Sequence, residues 1–279
     1  MTSVGSMRFT KMHSLGNDFV MLDAVTSPLA LDEATVRAIG DRHRGVGFDQ
    51  LIVAEPAKHG ADFFMRIYNT DGSESGQCGN GARCLGRFLH AQGLTDQESL
   101  DIETISTRFR LQIIDEKTVS AELAEPVFSP AQIPFLRDAQ ADSYDLTVGG
   151  EQVPAGVVSM GNPHAVLLVD SIDDAPVPIW GPAIEHDPSF PERTNVGFME
   201  ICSPTAIKLR VWERGVGETL ACGSGACAAV VMAHRWGKIH DTVRVDLPGG
   251  TLTVSWSGQG PVRMQGPTES VFEGVWQGD

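Results

Sequence analysis

The stretch Glu74–Gly93, ESGQCGNGARCLGRFLHAQG, recurs in kind at Glu218–Gly237, ETLACGSGACAAVVMAHRWG, at an offset of 144. Glu74/Glu218, Cys78/Cys222, Gly79/Gly223, Gly81/Gly225, Ala82/Ala226, His90/His234 and Gly93/Gly237 match, where average composition predicts roughly one or two identities over such a window. Arg66-Ile-Tyr-Asn69 stands opposite Arg210-Val-Trp-Glu213 at the same offset, and both alternate as strands do. Further back, SLGNDFVML from Ser14 echoes SMGNPHAVLL from Ser159, and GVGFDQ from Gly45 echoes NVGFME from Asn195. Collinear blocks of this kind predict a duplicated domain.

After each cysteine a Gly-x-Gly turn leads into a helical pattern. Leu85, Phe88 and Leu89 fall at i, i+3 and i+4, while Ala226–Ala233 is apolar all round and therefore predicts a buried helix. Alternating runs such as RLQII from Arg110, VRVDL from Val243 and TLTVSW from Thr251, punctuated by Pro-Gly and Gly-Gly, predict strands around these helices. The expected fold class is α/β (α+β). Two pseudo-symmetric duplicated domains each carry a mixed, mostly antiparallel sheet wrapped around a central helix, with the active site in the cleft between them. The Pro-bearing run EPVFSPAQIPF from Glu125 reads as a linker. The division expected is 1–122 for the N-terminal half and 123–267 for the C-terminal half.

Composition narrows the function classes. The net charge of −15, from 21 Lys+Arg against 36 Asp+Glu, repels polyanions, so nucleic acid and anionic membrane are not expected partners. The N-terminal run shows no apolar signal core and no later segment supplies about 18 uninterrupted apolar residues, which predicts a cytoplasmic protein. With 42% hydrophobic and 20% charged residues the chain reads as globular. Five cysteines, an odd number without Cys-x2-Cys spacing, suggest neither a disulfide framework nor a zinc site, and no metal ligand set is expected.

Equivalent residues of a duplicated fold can face each other across a cleft, and Cys78 and Cys222 are such residues. Each stands before a turn entering a helix, where free backbone N–H groups and the dipole favour an anion, either thiolate or substrate carboxylate. Two thiols on opposite faces of one carbon are what inversion without a cofactor requires: a thiolate removes the α-proton and the opposite thiol delivers another. A helix terminus contributes about 0.3–1 kcal/mol, less than one pKa unit, so it assists ionisation without securing it. Cys84, Cys202 and Cys227 have no counterpart in the other half and read as structural. His90 and His234 repeat late in their helices, where packing or C-terminal capping is expected.

The segments KMHSLGNDF, GVGFDQ, YNTDGSESGQCGNGARC, MGNPHAV, RTNVGF and VWERGVGETLACGSGACAA together resemble the diaminopimelate epimerase family, from about Lys11 to Ala229. The resemblance implies interconversion of LL- and meso-2,6-diaminopimelate on the route to lysine and peptidoglycan, independent of pyridoxal phosphate and metal, with Cys78 and Cys222 catalytic. It implies that backbone N–H groups of Gly79-Asn80 and Gly223-Ser224 hold the α-carboxylate. It further implies that Asn17, Gln50, Asn69, Asn162, Asn195, Glu213 and Arg214 line the pocket, and that His164 and Glu213 help manage thiol protons. The side-chain chemistry suits that set: Arg214 can fork onto a carboxylate and Glu213 can accept from an ammonium. The resemblance also implies a homodimer, and a tail 268–279 that returns to the first half. Ser14 and Thr70 depart from the residues common in the family, a matter of local loop shape. The competing expectations are a proline-racemase-like or hydroxyproline epimerase, which has little use for a charged distal end, a dithiol redox protein built on the same two cysteines, and a binding module without turnover.

Overall fold

Leu15 and Gly16 join the first two strands in a two-residue turn with φ of 56° and 84°, the primed geometry that matches strand twist. The strands Met7–Ser14 and Asn17–Asp23 pair antiparallel across it, with Ser14 opposite Asn17. The computed structural model describes residues 6–278. Met1–Gly5, which bore on the signal-core expectation, and the last residue of the expected tail lie outside the described residues. Contacts divide the chain into two units, Met1–Ala121 with Gly266–Asp279, and Glu122–Gln265.

In the first unit, Asn17–Asp23 runs parallel to Gln50–Pro56, and the crossover carries helix α1, Glu33–Gly40. Gln50–Pro56 turns antiparallel into Phe63–Asn69, the short strand Glu74–Ser75 follows, and then comes α2, Gly79–Ala91. Ser99–Glu103 returns parallel to Phe63–Asn69 and antiparallel to Arg108–Ile113. The last strand, Glu269–Trp276, pairs antiparallel with Met7–Ser14.

The second unit repeats this order. Glu151–Ser159 and Pro163–Leu168 pair antiparallel, and Pro163–Leu168 runs parallel to Asn195–Ser203 through a crossover carrying α3, Val177–Glu185. Asn195–Ser203 pairs with Ala206–Glu213, then Gly217–Thr219 leads into α4, Gly223–Arg235, and Thr242–Leu247 returns parallel to Ala206–Glu213. Gly250–Ser255 closes antiparallel on Thr242–Leu247. The duplicated, mixed α/β fold is thus present in each unit's own hydrogen bonding.

One block of the repeat is corrected by register. Arg66 pairs with Val53, and its counterpart Arg210 pairs with Phe198, so Gln50 occupies the place of Asn195. The echo of GVGF at Gly45 with NVGF at Asn195 is therefore not a structural equivalence. The first lies in the loop before its strand and the second inside its strand. Because side chains alternate along a strand, hydrogen-bond register rather than letter identity defines equivalence.

Each unit wraps its sheet on its own helix. Helix α2 buries Ala82, Cys84, Leu85, Phe88 and Leu89 against the strands that begin at Met7, Asn17, Gln50 and Arg108. Helix α4 is buried from Gly225 through Ala233 against the strands beginning at Glu151, Pro163, Asn195, Ala206 and Gly250. Both helices end alike. Gly93 and Gly237 take φ of 66° and 67°, and the next N–H reaches back to Leu89 O at 2.9 Å and to Ala233 O at 3.0 Å, the six-to-one closure for which glycine is favoured. His90 Nε2 lies 2.6 Å from Gln97 O and His234 Nε2 3.1 Å from Asp241 Oδ1, so the repeated histidines tie the helix end to the following segment. The run from Glu125 packs rather than standing as a solvated linker: Ile133 and Phe135 are buried, and Phe135 stacks on Phe190 at 4.7 Å in the second unit's core.

Candidate active site

In both units the cysteine closes a short antiparallel excursion that a repeated ion pair fastens. Arg66 donates to Glu74 at 2.9 Å, and Arg210 to Glu218 at 2.7 and 3.1 Å. This accounts for the Arg–Glu pair conserved between the two copies: it fixes the loop that leads into the sulfur.

Cys78 is the N-cap of α2, in extended conformation, and its Sγ accepts the Gly81 N–H at 3.3 Å. Cys222 is the N-cap of α4, also extended, with Sγ 3.7 Å from Ser224 Oγ. A side chain at the glycine three residues on would crowd the sulfur in each case. A Cβ on Gly81 would lie 3.2 Å from Cys78 Sγ and 2.4 Å from Ile52 Cδ1; one on Gly225 would lie 3.3 Å from Cys222 Sγ and 3.0 Å from Val211 Cγ2. Cys222 is buried, and burial first, then Glu213, pushes its thiol well above the usual value, with the Ser224 hydroxyl opposing. It is a proton-holding sulfur in the unliganded protein.

In the first unit the expected site residues stand at strand ends and at the start of α2, in two hydrogen-bonded groups. Asn17 opens one strand, Gln50 opens its parallel neighbour and Asn69 ends the next. Asn80 Nδ2 donates to Asn17 Oδ1 at 3.2 Å, Asn17 Nδ2 donates to Asp49 Oδ2 at 2.9 Å, and Gln50 Nε2 donates to Asn69 Oδ1 at 3.1 Å. Gly79 is the first residue of α2.

Around Cys222 the second unit does the same with different side chains. Asn162 Nδ2 donates to Ser224 Oγ at 3.4 Å, and His164 Nε2 lies 2.9 Å from Asn162 Oδ1. Asn195 Nδ2 donates to Pro163 O at 2.9 Å, and its Oδ1 accepts the Arg214 N–H at 3.0 Å. Glu213 ends its strand and accepts from Thr219 Oγ1 at 2.5 Å; Arg214 Nη1 donates to Glu192 O at 3.0 Å. Gly223 begins α4. Burial first, with the Arg214 charge adding to it, pulls His164 down to about 3, and its Nδ1 is buried without a partner. A neutral His164 must donate from Nε2 to the Asn162 carbonyl, which turns the Asn162 amide toward Ser224.

Register pairs the members of the two sets: Asn17 with Asn162, Gln50 with Asn195, Asn69 with Glu213, Asn80 with Ser224, and Phe19 with His164. Sequence reasoning missed Asp49, Arg83 and Thr219, which hold the set in place. Arg83 is fully buried and donates from Nη2 to Asn80 Oδ1 at 3.0 Å and Ser14 Oγ at 2.7 Å. The signal was available, since the offset of 144 lays Arg83 over Cys227 inside the all-apolar run. Of the other thiols, burial pushes Cys84 up to about 12, and Cys202 lies exposed beside Glu200. Among the described residues no group of three or more His, Cys, Asp or Glu is placed to hold a metal ion, and no helix is long and apolar enough to cross a membrane.

Comparison with known proteins places this arrangement. Residues 9–128 and 156–271 match the family profile described as Diaminopimelate epimerase. A curated diaminopimelate epimerase of Alkalilimnicola ehrlichii is 52% identical over 272 residues, covering 96% of this chain and 98% of the relative; one of Ectopseudomonas mendocina is 48% identical over 270 residues, covering 96% and 98%. Among solved structures, the Bacillus anthracis phenazine biosynthesis protein of the PhzF family aligns with a TM-score of 0.70 at 16% identity, covering 97% of this chain and 99% of that one. A hydroxyproline epimerase from Agrobacterium vitis aligns with a TM-score of 0.70 at 14% identity, covering 98% and 92%. At such identities these two speak to the fold alone.

Proposed function

The chain belongs to the diaminopimelate epimerase family, and we propose from that premise that it interconverts LL- and meso-2,6-diaminopimelate by proton transfer between two sulfurs. Cys78 as thiolate takes the α-proton: the C–H bond breaks, an S–H bond forms, and the electron pair stays on carbon, delocalised into the α-carboxylate. The Cys222 thiol gives its proton to the opposite face, leaving the charge on Cys222. The reverse direction exchanges the roles. Backbone N–H groups of Gly79-Asn80 and Gly223-Ser224 are suited to the carboxylate as charge builds on it.

Asn17, Gln50, Asn69, Asn162, Asn195, Glu213 and Arg214 line the pocket, many of them meeting the distal amino acid group. The Gln50 and Arg214 side chains are held by one hydrogen bond each and those of Asn17, Asn69, Asn162 and Asn195 by two, leaving further donors and acceptors for substrate. A substrate lacking the distal charges would strand those groups, which is how a polar pocket rejects an analogue. His164 and Glu213 act on Cys222 from its own unit, His164 through Asn162 and Ser224, Glu213 as a neighbouring carboxylate that favours the protonated thiol. In this reading the enzyme works in the cytoplasm as a homodimer and serves lysine and peptidoglycan precursor synthesis, with no nucleic-acid or membrane partner, and needs no metal or organic cofactor.

The observation that carries the reading is the recurrence of one residue type at the N-cap of the equivalent helix in both units, each with a glycine whose Cβ would press on the sulfur. A lone buried cysteine needs neither feature. The test is to incubate the chelator-dialysed protein with LL-diaminopimelate and, separately, with L-proline, and to follow stereochemistry by chiral chromatography. Conversion of the first to the meso isomer without turnover of the second is expected. Racemisation of proline, or turnover of neither substrate, would overturn the assignment.

A further inference from the structure

The amide orientations in the first unit are fixed from both ends. The Asp49 carboxylate only accepts, so Asn17 must present its NH2 there, leaving Asn17 Oδ1 to accept from Asn80. The Asn80 carbonyl is then left for a donor, and the Arg83 guanidinium, which only donates, takes it at 3.0 Å. Register gives the second unit no such cation: Cys227 stands where Arg83 does, the chain of contacts ends in a neutral His164, and the charge acting on Cys222 is the Glu213 carboxylate.

Resting on the two-sulfur reading above, we propose that Arg83 is a positioning residue of the Cys78 half: through Asn80 it sets the α2 helix start, and its buried positive charge makes Cys78 the sulfur on which the resting negative charge lies, Cys222 resting as the thiol. Cys78 stands two residues before Asn80, and its Sγ receives the Gly81 N–H; Cys222 has the matching Gly225 N–H and the Ser224 hydroxyl, but burial and the Glu213 carboxylate outweigh them. The strands packed against α2 carry Arg8, Lys11, His13, Asp18, Asp23, Glu55, Arg108 and Arg110; of these Lys11 and Asp18 pair with each other, and Arg42 bridges Asp18 and Asp49. On α2 itself stand Arg87 and the thiol Cys84, on which Arg83 acts as the larger of two cationic influences, drawing it down against burial. A cation in a low-dielectric surrounding acts more strongly than the same cation in water. In the second unit, a carboxylate beside a buried thiol acts the other way.

The consequence is a defined resting proton inventory. Starting from this form, Cys78 can remove a proton at once and Cys222 can deliver one. After a turnover in that direction the thiolate is on Cys222, and a proton must pass from Cys78 to Cys222 before the same direction repeats.

The experiment reads thiolate directly, without substrate, in the full-length folded protein. Ultraviolet absorbance near 240 nm at neutral pH is compared in wild type, Cys78→Ser and Cys222→Ser, in a Cys202→Ser background that removes the exposed thiol. Loss of the neutral-pH signal in Cys78→Ser and its retention in Cys222→Ser is expected; the reverse pattern, or no native thiolate signal, overturns the proposal. In Arg83→Met the rate of Cys78 alkylation by iodoacetamide, located by peptide mapping, is expected to fall about tenfold, the equivalent of one pH unit in thiolate fraction, with Arg83→Lys restoring most of it. A folded Arg83→Met protein alkylated at the wild-type rate contradicts it. Should Arg83→Met not fold, the absorbance comparison, which leaves Arg83 in place, still decides. Failure of the functional reading would appear separately, as absence of epimerisation in a protein whose thiolate assignment stands.

Discussion

The starts of α2 and α4 are the same backbone device supplied with opposite electrostatics. Both place a cysteine at the N-cap, a Gly-x-Gly turn behind it and an Arg–Glu pair before it. Under that common frame, the first unit sets a buried guanidinium and two asparagines, and the second a neutral buried histidine, a serine and a carboxylate. Duplication can copy a geometry, but a reaction that moves a proton from one side to the other needs two unequal partners at any instant. On the proposed mechanism the differences fall where the chemistry is asymmetric, while the loop-fixing ion pair and the helix-ending glycines are alike in the two units.

The largest expected effect removes the equivalence altogether. Cys78→Ala and Cys222→Ala each lose about 10²–10⁴-fold in kcat, the range for removing a proton-transfer group, measured by appearance of the meso isomer. A variant that keeps wild-type turnover would show that its half is not needed. Next come the glycines. Gly81→Ala drives a methyl to 2.4 Å from Ile52 Cδ1, and Gly225→Ala only to 3.0 Å from Val211 Cγ2. Overpacking costs typically about 1–3 kcal/mol, so urea unfolding should find the first variant the less stable, with activity reduced in both. Equal stability would mean that the Ile52 side chain gives way freely.

A smaller effect belongs to the first unit alone. Burial disfavours the Asp18 carboxylate, but hydrogen bonds from Arg42 and Lys11 outweigh it and hold Asp18 down at about 2. A depressed carboxyl contributes stability that is present above its unfolded value near 4 and lost as pH falls through about 2, here about 2 kcal/mol. Denaturation at a series of acid pH values should show this loss in wild type and its absence in Asp18→Asn. The smallest expected effect lies in the second unit. Because His164 is held down at about 3, it stays neutral across the physiological range, and the pH profile of kcat/KM should be the same near 6.5 in wild type and in His164→Gln, even if the latter is slower. A limb near 6.5 that vanishes in the variant would show that His164 titrates in the working enzyme.

Much of this was legible in the residues. The repeated Cys-Gly turn is legible in sequence because a larger residue would crowd the sulfur, and the all-apolar Ala226–Ala233 had to be interior. What misled was letter identity without register. GVGF matches NVGF by eye, yet the Arg66–Val53 and Arg210–Phe198 pairings assign Gln50, not Gly45, to the place of Asn195. The Pro-rich run from Glu125 looks solvated by composition, but its Ile133 and Phe135 bury in the second core. The alignment of Arg83 with Cys227 in the all-apolar run hints at its burial, which the structure shows to be complete; that Asp49 accepts from Asn17 depends on a contact between distant segments with no counterpart in the sequence pattern.

The claim that two unequal sulfurs work on opposite faces of one carbon is tested most directly by running LL-diaminopimelate in deuterium oxide and stopping at low conversion. The account predicts deuterium at the inverted carbon of nearly all meso product, delivered by the solvent-equilibrated thiol, with almost none in the recovered LL substrate. Deuterium in recovered substrate at the product's level, or meso product that has kept the substrate's own proton, would contradict it and point to a single base.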